Sequence, residues 1–352
     1  MKKFKLSMML ILMSMLVFSA CGGGGGGSDD PDKPGDNPGD DPKDPGDDPK
    51  DPVATLEING DTYTYTFPGG TEFNLMLTRD IATDNEFPTG MDDDGKAKVP
   101  TRFIMGETEV TYQLWKEVFD WATSTERGTD KYTFANTGVK GNDGAAAKTA
   151  QHPVTTVNWR DSIVWCNALT EYYNANNDDS ETDLVCVYTY GGSIIRDSRD
   201  SNSSACDGAV QNSTAKGFRL PGSMEWEYAA RYRENTTNTV KGYSNPYYTN
   251  GNSASGATVD YNNDSATSAV TLYGVSSTAV VKSKGNGANA LGLYDMSGNV
   301  YEWCFDIYSG SYRVVRGGAY NYAASEMRLG LVRYTNPLNE DVNIGFRFCR
   351  TK

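Results

Sequence analysis

One short segment, residues 292–303, constrains the fold of this chain more than any other. It carries two carboxylates, Asp295 and Glu302, on either side of a Ser-Gly-Asn turn, together with three aromatic side chains. The segment is too polar for an ordinary core strand and too regular for a loose loop. Calcium takes roughly six to eight oxygen ligands, some of them backbone carbonyls, and a turn of this kind supplies several. The segment therefore predicts an ordered, loop-rich domain that is organised partly by a metal.

The N-terminus has the pattern of an export signal. Lysines at positions 2, 3 and 5 precede an apolar run, 6–18, that is too short to span a bilayer as a stable helix. Small residues then lead to Cys21, which resembles the lipobox of a bacterial lipoprotein, although Phe18 departs from the usual pattern. We expect residues 1–20 to be a signal peptide and Cys21 to carry a membrane-anchoring lipid. An ordinary secretory signal with a chance cysteine is the alternative.

Residues 21–52 are expected to form a disordered tether. Glycines follow Cys21, and the rest is a run of Asp, Pro, Gly and Lys that cannot build a core. Residues 28–52 contain ten Asp and three Lys, a net charge of −7, which is half of the −14 of the whole chain. Acidic charge of this kind excludes nucleic acid as an expected partner. An outer-membrane lipoprotein is predicted, facing either the cell surface or the periplasm.

The remaining residues, 53–352, are expected to form one α+β domain. Glycine and small polar residues are abundant, and long amphipathic runs are few. Asn59 and Gly60 predict a hairpin between two short strands. The other expected elements are a strand at 103–110 and helices at 111–123, at 160–173 and after Pro221.

Six motifs occur in a fixed order along the chain, at 103–112, 152–159, 217–221 with 225–231, 292–303, 316–318 and 344–347. In this order they resemble the motifs of the formylglycine-generating enzyme, or sulfatase-modifying factor, family. The resemblance implies a C-type-lectin-like α+β fold with little regular secondary structure. It also implies a calcium held by the side chains of Asp295 and Glu302 and by the carbonyls of Gly298 and Val300. The alternative is that Asp295 caps the turn and Glu302 pairs with an arginine.

The oxidase chemistry of the family is not expected here. Its members use two cysteines that follow an Arg-Gly-Gly-Ser motif and bind copper(I), but Tyr322 and Met327 occupy those positions and Ala319 replaces the serine. Neither side chain supplies a thiolate, so copper is not an expected cofactor. A related branch that binds iron through three histidines is excluded, because His152 is the only histidine. No catalytic residue is therefore assigned.

Five cysteines follow Cys21, so at least one has no disulfide partner within the chain. Cys186 and Cys206 flank a polar insertion and are one candidate pair. The family resemblance suggests a second, Cys166 with Cys349, although Cys349 is offset by one residue. Packing is the alternative role for Cys166, and none of these cysteines, Cys304 included, forms a redox or zinc motif.

A tyrosine-rich segment follows the Arg-Gly-Gly motif and suggests the function. Tyrosine, arginine and asparagine make adaptable binding surfaces, and the resemblance places this segment along the former active-site cleft. The candidate ligand-binding residues are Tyr320, Asn321, Tyr322, Arg333 and Tyr334. Solvated loops with half-buried tyrosines are the alternative interpretation.

The leading hypothesis is a non-catalytic domain that binds a protein or glycan at the cell envelope. One alternative is an enzyme, either an unusual formylglycine-generating oxidase or other chemistry in the same cleft. Another is a structural subunit of an envelope secretion or motility complex.

Overall fold

The computed structural model describes residues 53–78, 86–177, 183–244 and 246–352. The predicted signal peptide, Cys21 and the tether lie outside these ranges. None of the helices in the described part of the chain has the length and hydropathy needed to cross a bilayer. The helices are α1 (Tyr112–Ala122), α2 (Trp159–Asn176), α3 (Ser203–Asp207), α4 (Ser223–Arg231) and α5 (Asp264–Val270).

The strands are short and are spread along the whole described chain. They are β1 (Thr55–Asn59), β2 (Thr62–Thr66), β3 (Glu72–Leu77), β4 (Phe87–Thr89), β5 (Gly95–Ala97), β6 (Phe103–Gly106), β7 (Val139–Lys140), β8 (Val154–Thr155), β9 (Tyr188–Tyr190), β10 (Ser193–Ile194), β11 (Val210–Gln211), β12 (Tyr232–Arg233), β13 (Tyr247–Tyr248), β14 (Tyr301–Ser309), β15 (Tyr312–Arg316), β16 (Arg333–Thr335), β17 (Ile344–Gly345) and β18 (Cys349–Thr351).

Two sheets organise the domain. The first has the order β1-β2-β3-β6-β18 and is antiparallel, so the last strand of the chain pairs with β6, with Cys349 opposite Met105. The second has the order β16-β15-β14-β17; its β14 and β17 are parallel, with Tyr301 opposite Ile344. The second sheet carries the last three residues of the predicted metal segment on β14, and Arg333 and Tyr334 of the tyrosine-rich region on β16.

Helix boundaries follow from local capping. The Thr111 side chain accepts the Leu114 N–H and starts α1, as predicted. Asn158 and Asp161 form a reciprocal capping box that starts α2 at Trp159, and this helix runs three residues beyond its predicted end. The predicted hairpin at Asn59 is also present, as β1 and β2. The strand predicted at 103–110 ends at Gly106.

Aromatic side chains fill the larger of two main hydrophobic clusters. Trp115 of α1 stacks on Trp165 of α2 with ring centroids 5.7 Å apart, and Phe346 meets both rings edge-on. Such pairs contribute beyond the apolar area they bury. The second cluster surrounds Trp226 of α4 and contains Met105. The two clusters place α1, α2 and α4 against the sheets.

The carboxylates of α4 form structural ion pairs. Glu227 is buried and accepts hydrogen bonds from Arg231 and Arg316, so the arginine of the Arg-Gly-Gly motif holds α4. Glu225 forms a bidentate ion pair with Arg219 and accepts the N–H of Gly222, the N-cap. These two glutamates therefore face different partners, as their spacing predicts.

The five described cysteines are free, buried thiols. The suggested bridges from Cys186 to Cys206 and from Cys166 to Cys349 are therefore absent, and both predictions are wrong for this structure. Burial raises the pKa of the Cys186 and Cys206 thiols to about 12. Their role is packing, because a thiol buried in apolar surroundings stays protonated and unreactive.

Candidate functional site

The Ser-Gly-Asn turn has the tight backbone geometry that its sequence predicts. Asp295 and Asn299 both adopt positive φ, 54° and 58°, as does Gly298 at 88°. A Cβ on Gly298 would lie 2.4 Å from the carbonyl oxygen of Leu272, so only glycine fits at this position. The Asp295 carboxylate does not cap this turn. Its Oδ2 accepts the backbone N–H of Lys282 at 2.7 Å.

Glu302, the second predicted calcium ligand, already accepts hydrogen bonds from Arg347 and Trp226. Its Oε1 accepts from Arg347 Nη2 at 2.6 Å, and its Oε2 accepts from Arg347 Nε and Trp226 Nε1, each at 2.7 Å. Both members of the ion pair are fully buried. The alternative expected for Glu302, pairing with an arginine, is therefore the arrangement present.

The carboxylates around the turn do not form a ready-made metal cage. In the ranges that the structure describes, no group of three Asp, Glu, His or Cys side chains is placed to hold an ion. Glu302 fits the role of calcium ligand poorly, because Arg347 engages both of its oxygens. Asp295 fits better, because no Lys or Arg side chain of the described residues forms an ion pair with it and its Oδ2 accepts only the backbone N–H of Lys282. Burial raises the pKa of its carboxyl to about 6. Calcium at Asp295, Gly298, Val300 and Glu302 stays a prediction.

A third carboxylate, which the sequence patterns did not reveal, lies near the turn. Glu109 is 1% exposed, and neither of its oxygens has a hydrogen-bond partner among the described residues. Burial and the charges of Asp295 and Glu302 raise the pKa of its carboxyl well above the usual range. Its sequence neighbours, Thr108 and Val110, gave no sign of this environment.

The five predicted ligand-binding residues fall in different environments. Tyr322, Arg333 and Tyr334 line one surface pocket of about 250 Å³. Asn321 is exposed at its margin, where its side-chain oxygen accepts from Asn343 Nδ2 at 3.2 Å. Tyr320 is only 4% exposed and does not line this pocket. The structure thus brings together three of the five side chains.

A fixed polar network forms the wall of this pocket. Arg333 donates from Nε and Nη2 to the two oxygens of Glu326, at 2.8 and 2.5 Å. The Tyr301 hydroxyl donates to the same carboxylate at 2.8 Å. These donors lower the pKa of Glu326, and the carboxylate raises the pKa of Arg333. The guanidinium plane is therefore held in place before any ligand arrives.

Exposed tyrosines extend the pocket into a larger surface. Tyr334 stacks on Tyr308 with centroids 4.1 Å apart, and Tyr312 meets it edge-on at 5.5 Å. Tyr322 packs edge-on against Tyr301. We call Tyr308, Tyr312, Tyr322, Arg333 and Tyr334 the tyrosine face; each of its tyrosines is between 42% and 50% exposed. Sequence reasoning missed Tyr308 and Tyr312, although both flank the Ser309-Gly310 turn signal.

The positions that match the catalytic cysteines and serine of the oxidase lie in two different environments. Met327 and Ala319 are fully buried, whereas Tyr322 belongs to the tyrosine face. His152 is also buried, its Nδ1 accepts the N–H of Thr149, and burial together with Lys148 lowers its pKa. Met327 and Ala319 therefore have packing roles, and His152 anchors a loop.

Comparison with known proteins identifies the family to which this chain belongs. A family model described as sulfatase-modifying factor enzyme 1-like domain matches residues 62–352. The chain belongs to this family, and the α+β, C-type-lectin-like fold inferred from its motifs is confirmed.

Three individual relatives illustrate the similarity. Chaperone protein LppX of Paenibacillus barcinonensis is 28% identical over 236 residues, which cover 62% of this chain and 69% of LppX. The solved structure of Treponema denticola variable protein 1 is 26% identical with a TM-score of 0.58, covering 86% of this chain and 100% of that one. The crystal structure of CarF is 25% identical with a TM-score of 0.52, covering 76% and 96%.

Proposed function

We propose that this protein is a non-catalytic binding domain that takes a ligand at the tyrosine face. The observation that carries the proposal is the grouping of half-exposed tyrosines around the fixed Arg333–Glu326 pair. Tyrosine supplies a large amphipathic contact area at low cost in side-chain entropy, and a preorganised arginine adds directional hydrogen bonds. The loss of both oxidase thiols, with Tyr322 in one of their positions, agrees with recruitment of the old cleft for binding.

A protein is the favoured ligand, with a glycan as the alternative. The relative LppX is named a chaperone, and chaperones act on other proteins. The family relative from Treponema denticola is named a variable protein, which agrees with a fold whose surface changes while its scaffold stays.

The proposal also includes a membrane anchor at Cys21 and a structural calcium ion. A lipid on Cys21 would anchor the chain to the outer membrane, and the acidic tether would hold the domain away from the bilayer. A calcium ion at the 292–303 turn would be structural, closing a loop in a fold with few long strands. The oxygen-rich turn supports the ion, and Glu302 is its weakest predicted ligand because Arg347 already holds it.

Binding arrays test the proposal and separate its two ligand classes. The full chain is applied to a peptide array and a glycan array beside the double variant Tyr322→Ala, Arg333→Ala. Tyr190→Ala is the matched control, since Tyr190 is equally exposed but lies on β9, outside the tyrosine face. We expect reproducible hits for the wild type and Tyr190→Ala that disappear in the double variant. Hits that survive in the double variant would place the ligand elsewhere.

The oxidase alternative has its own assay. A Cys-x-Pro-x-Arg peptide is incubated with the full chain, calcium, copper and oxygen and then analysed by mass spectrometry. Unchanged peptide is the expected result, because Tyr322 and Met327 supply no thiolate for copper(I). Formylglycine in the product would overturn the non-catalytic assignment.

A further inference from the structure

The first strand of the domain is an open edge of the first sheet. In the order β1-β2-β3-β6-β18, β1 pairs only with β2, and all five of its residues are exposed. It contains no lysine or proline, and its register with β2 runs without a bulge. Lysine, proline and bulges are the devices by which natural edge strands avoid pairing with another chain. The edge of β1 is therefore able to accept a further strand.

The side chains of β1 differ in polarity between its two faces. Leu56 and Ile58 lie opposite Tyr65 and Tyr63 of β2, whose rings are buried in the larger hydrophobic cluster. Directly opposite residues share a face, so Leu56 and Ile58 continue the core-facing side of the sheet. They are nevertheless 37% and 56% exposed. The other three residues of β1 are polar and lie on the opposite face. The apolar face of the sheet therefore extends beyond what the described chain covers.

Backbone groups at this edge are also available for pairing. Ala54, just before β1, directs its N–H away from β2, to the carbonyl of Asn176 at 2.6 Å. Successive strand residues direct these groups to alternate sides, so Leu56 and Ile58 present their N–H and C=O groups at the open edge. Among the described residues, 55–59 form no backbone–backbone hydrogen bond beyond the β1–β2 ladder.

The opposite edge of the same sheet is covered. There Arg219 and Cys349 of β18 exchange both backbone hydrogen bonds, at 2.8 and 2.7 Å. A second copy of the chain can therefore join this sheet only through its own β1. Pairing of one surface with itself closes after two copies, whereas joining two different edges would continue into a filament.

We propose that β1 pairs antiparallel with β1 of a second copy of this chain, so that the protein forms a homodimer. With the two-fold axis at Leu56, this residue lies opposite Leu56 of the second copy, and Ala54 lies opposite Ile58. Apolar side chains then meet apolar side chains, and on the other face Thr55 lies opposite Glu57. A register two residues along would place the two Glu57 carboxylates directly opposite each other, which is unfavourable.

The chain preceding β1 favours a second copy as the partner. Pairing of two short strands is small beside the roughly 1,000 Å² buried by a specific interface, so this contact is weak in dilute solution. Residues 21–52, the Pro-rich tether, lead directly to β1, and a Pro-rich chain spans about 3 Å per residue. Copies anchored in one membrane therefore reach one another at a raised effective concentration. The dimer uses the proposed anchor for its affinity and is independent of the tyrosine face.

Disulfide cross-linking of the full chain in intact cells tests the dimer. Leu56→Cys, Val210→Cys and the wild type are treated with diamide as the oxidant and compared on non-reducing gels. Val210 is the matched control, because it is exposed and lies on β11, the edge of another sheet. We expect at least about tenfold more dimer for Leu56→Cys, since a hydrogen-bonded antiparallel pair has Cα atoms about 5.5 Å apart, within disulfide reach.

A second variant separates pairing from random collision. Adding Ile58→Lys to Leu56→Cys leaves the thiol in place but puts a charge where Ala54 of the second copy would pack. We expect at least about a fivefold loss of dimer, because lysine protects an edge strand from pairing. An unchanged Tm shows that each variant is folded.

Three results would overturn the dimer. The first is equal cross-linking of Leu56→Cys and Val210→Cys, and the second is undiminished cross-linking after Ile58→Lys is added. The third is an adduct of Leu56→Cys whose mass differs from two copies of the chain, which would identify a different protein at this edge. The array experiments on the tyrosine face vary other residues, so either proposal can fail alone.

Discussion

Arg347 links more of the fold than any local pattern around it indicates. Its guanidinium joins Glu302 at the start of β14 to the carbonyls of Gly106 and Tyr294. It is fully buried, so each of these groups depends on it for a hydrogen bond in a place where water cannot substitute. A buried pair of this kind is costly to break, even where its net stabilisation is small.

Arg347→Ala is therefore expected to lower the free energy of unfolding by about 3–5 kcal/mol, measured by urea denaturation, because it leaves the Glu302 charge buried without a partner. Arg333→Ala is the control. It breaks an equally direct pair whose arginine is half exposed, and we expect a loss of about 0–1 kcal/mol. Similar losses for the two variants would contradict the assignment of Arg347 as a central buried ion pair.

His152, the only histidine, gives the stability a defined pH dependence. Burial and Lys148 lower its pKa, so the unfolded chain takes up a proton at pH values where the folded chain does not. Stability linked to this group is present above the unfolded pKa of about 6.5 and is lost as pH falls through that value towards the folded pKa.

We expect the stability advantage of the wild type over His152→Gln to shrink between about pH 7.5 and about pH 5.5. Urea denaturation of both proteins at each pH measures this, and the carboxylates shared by the two proteins cancel in the difference. An advantage that grows towards low pH would mean that the pKa of His152 is raised in the fold, opposite to the direction assigned here.

At the scale of elements, α4 begins without a capping side chain of its own. Gly222 is the N-cap, and Asp306 of β14 instead accepts the N–H of Ser223 at 2.6 Å. The cap therefore comes from a residue more than eighty positions away, and it couples the start of the helix to the second sheet. A carboxylate at this end also interacts favourably with the helix dipole.

Asp306→Ala should destabilise the protein by about 1 kcal/mol, the usual effect of losing an N-cap acceptor. Adding Gly222→Ser should recover part of this loss, since a Cβ at Gly222 meets no atom closer than 3.5 Å and a serine can cap the helix locally. Urea denaturation of the single and double variants measures both steps. No recovery in the double variant would mean that Asp306 acts on β14 and not on the helix.

Elements with local signals could be predicted, and distant pairings could not. The hairpin at Asn59-Gly60 and the helix starting after Thr111 depend on turn and cap residues adjacent in sequence. The pairing of β6 with β18 joins residues about 245 positions apart, and neither strand carries a signal for the other. The strand predicted at 103–110 ends early because Glu107 turns towards Lys282 and Asn74.

The candidate site was predictable to a similar degree. Composition pointed to Tyr322, Arg333 and Tyr334, but it could not distinguish them from Tyr320, whose ring is buried. Alternation of exposed and buried side chains is not visible in an irregular loop, where no fixed period applies. Tyr308 joins the face only because β14 and β16 flank β15, which is a property of the assembled sheet.

At the scale of the whole molecule, the proposed anchor has a direct test. Cys21→Ala should move the protein from the membrane fraction to the soluble fraction, because the lipid on Cys21 is its proposed attachment to the bilayer. Fractionation with immunoblotting measures this, and Cys206→Ala controls for the loss of a cysteine as such. Membrane retention of Cys21→Ala would show that something other than this lipid holds the chain.

The family scaffold and the tyrosine face together define the proposed function. The Glu227–Arg316 and Glu302–Arg347 ion pairs hold the scaffold together. Tyr322 of the tyrosine face occupies one of the two positions that match the oxidase cysteines. A binding protein built this way keeps its fold while its surface side chains change.

The affinity of Tyr334→Ala for the ligand found on the arrays tests this directly, beside the wild type and Tyr190→Ala. Tyr334 both lines the pocket and carries the contacts to Tyr308 and Tyr312. For Tyr334→Ala we predict a rise in Kd of at least about thirtyfold, typical of a central aromatic contact, and an unchanged Tm. For Tyr190→Ala we predict an unchanged Kd. Equal affinity in all three proteins would contradict binding at the tyrosine face.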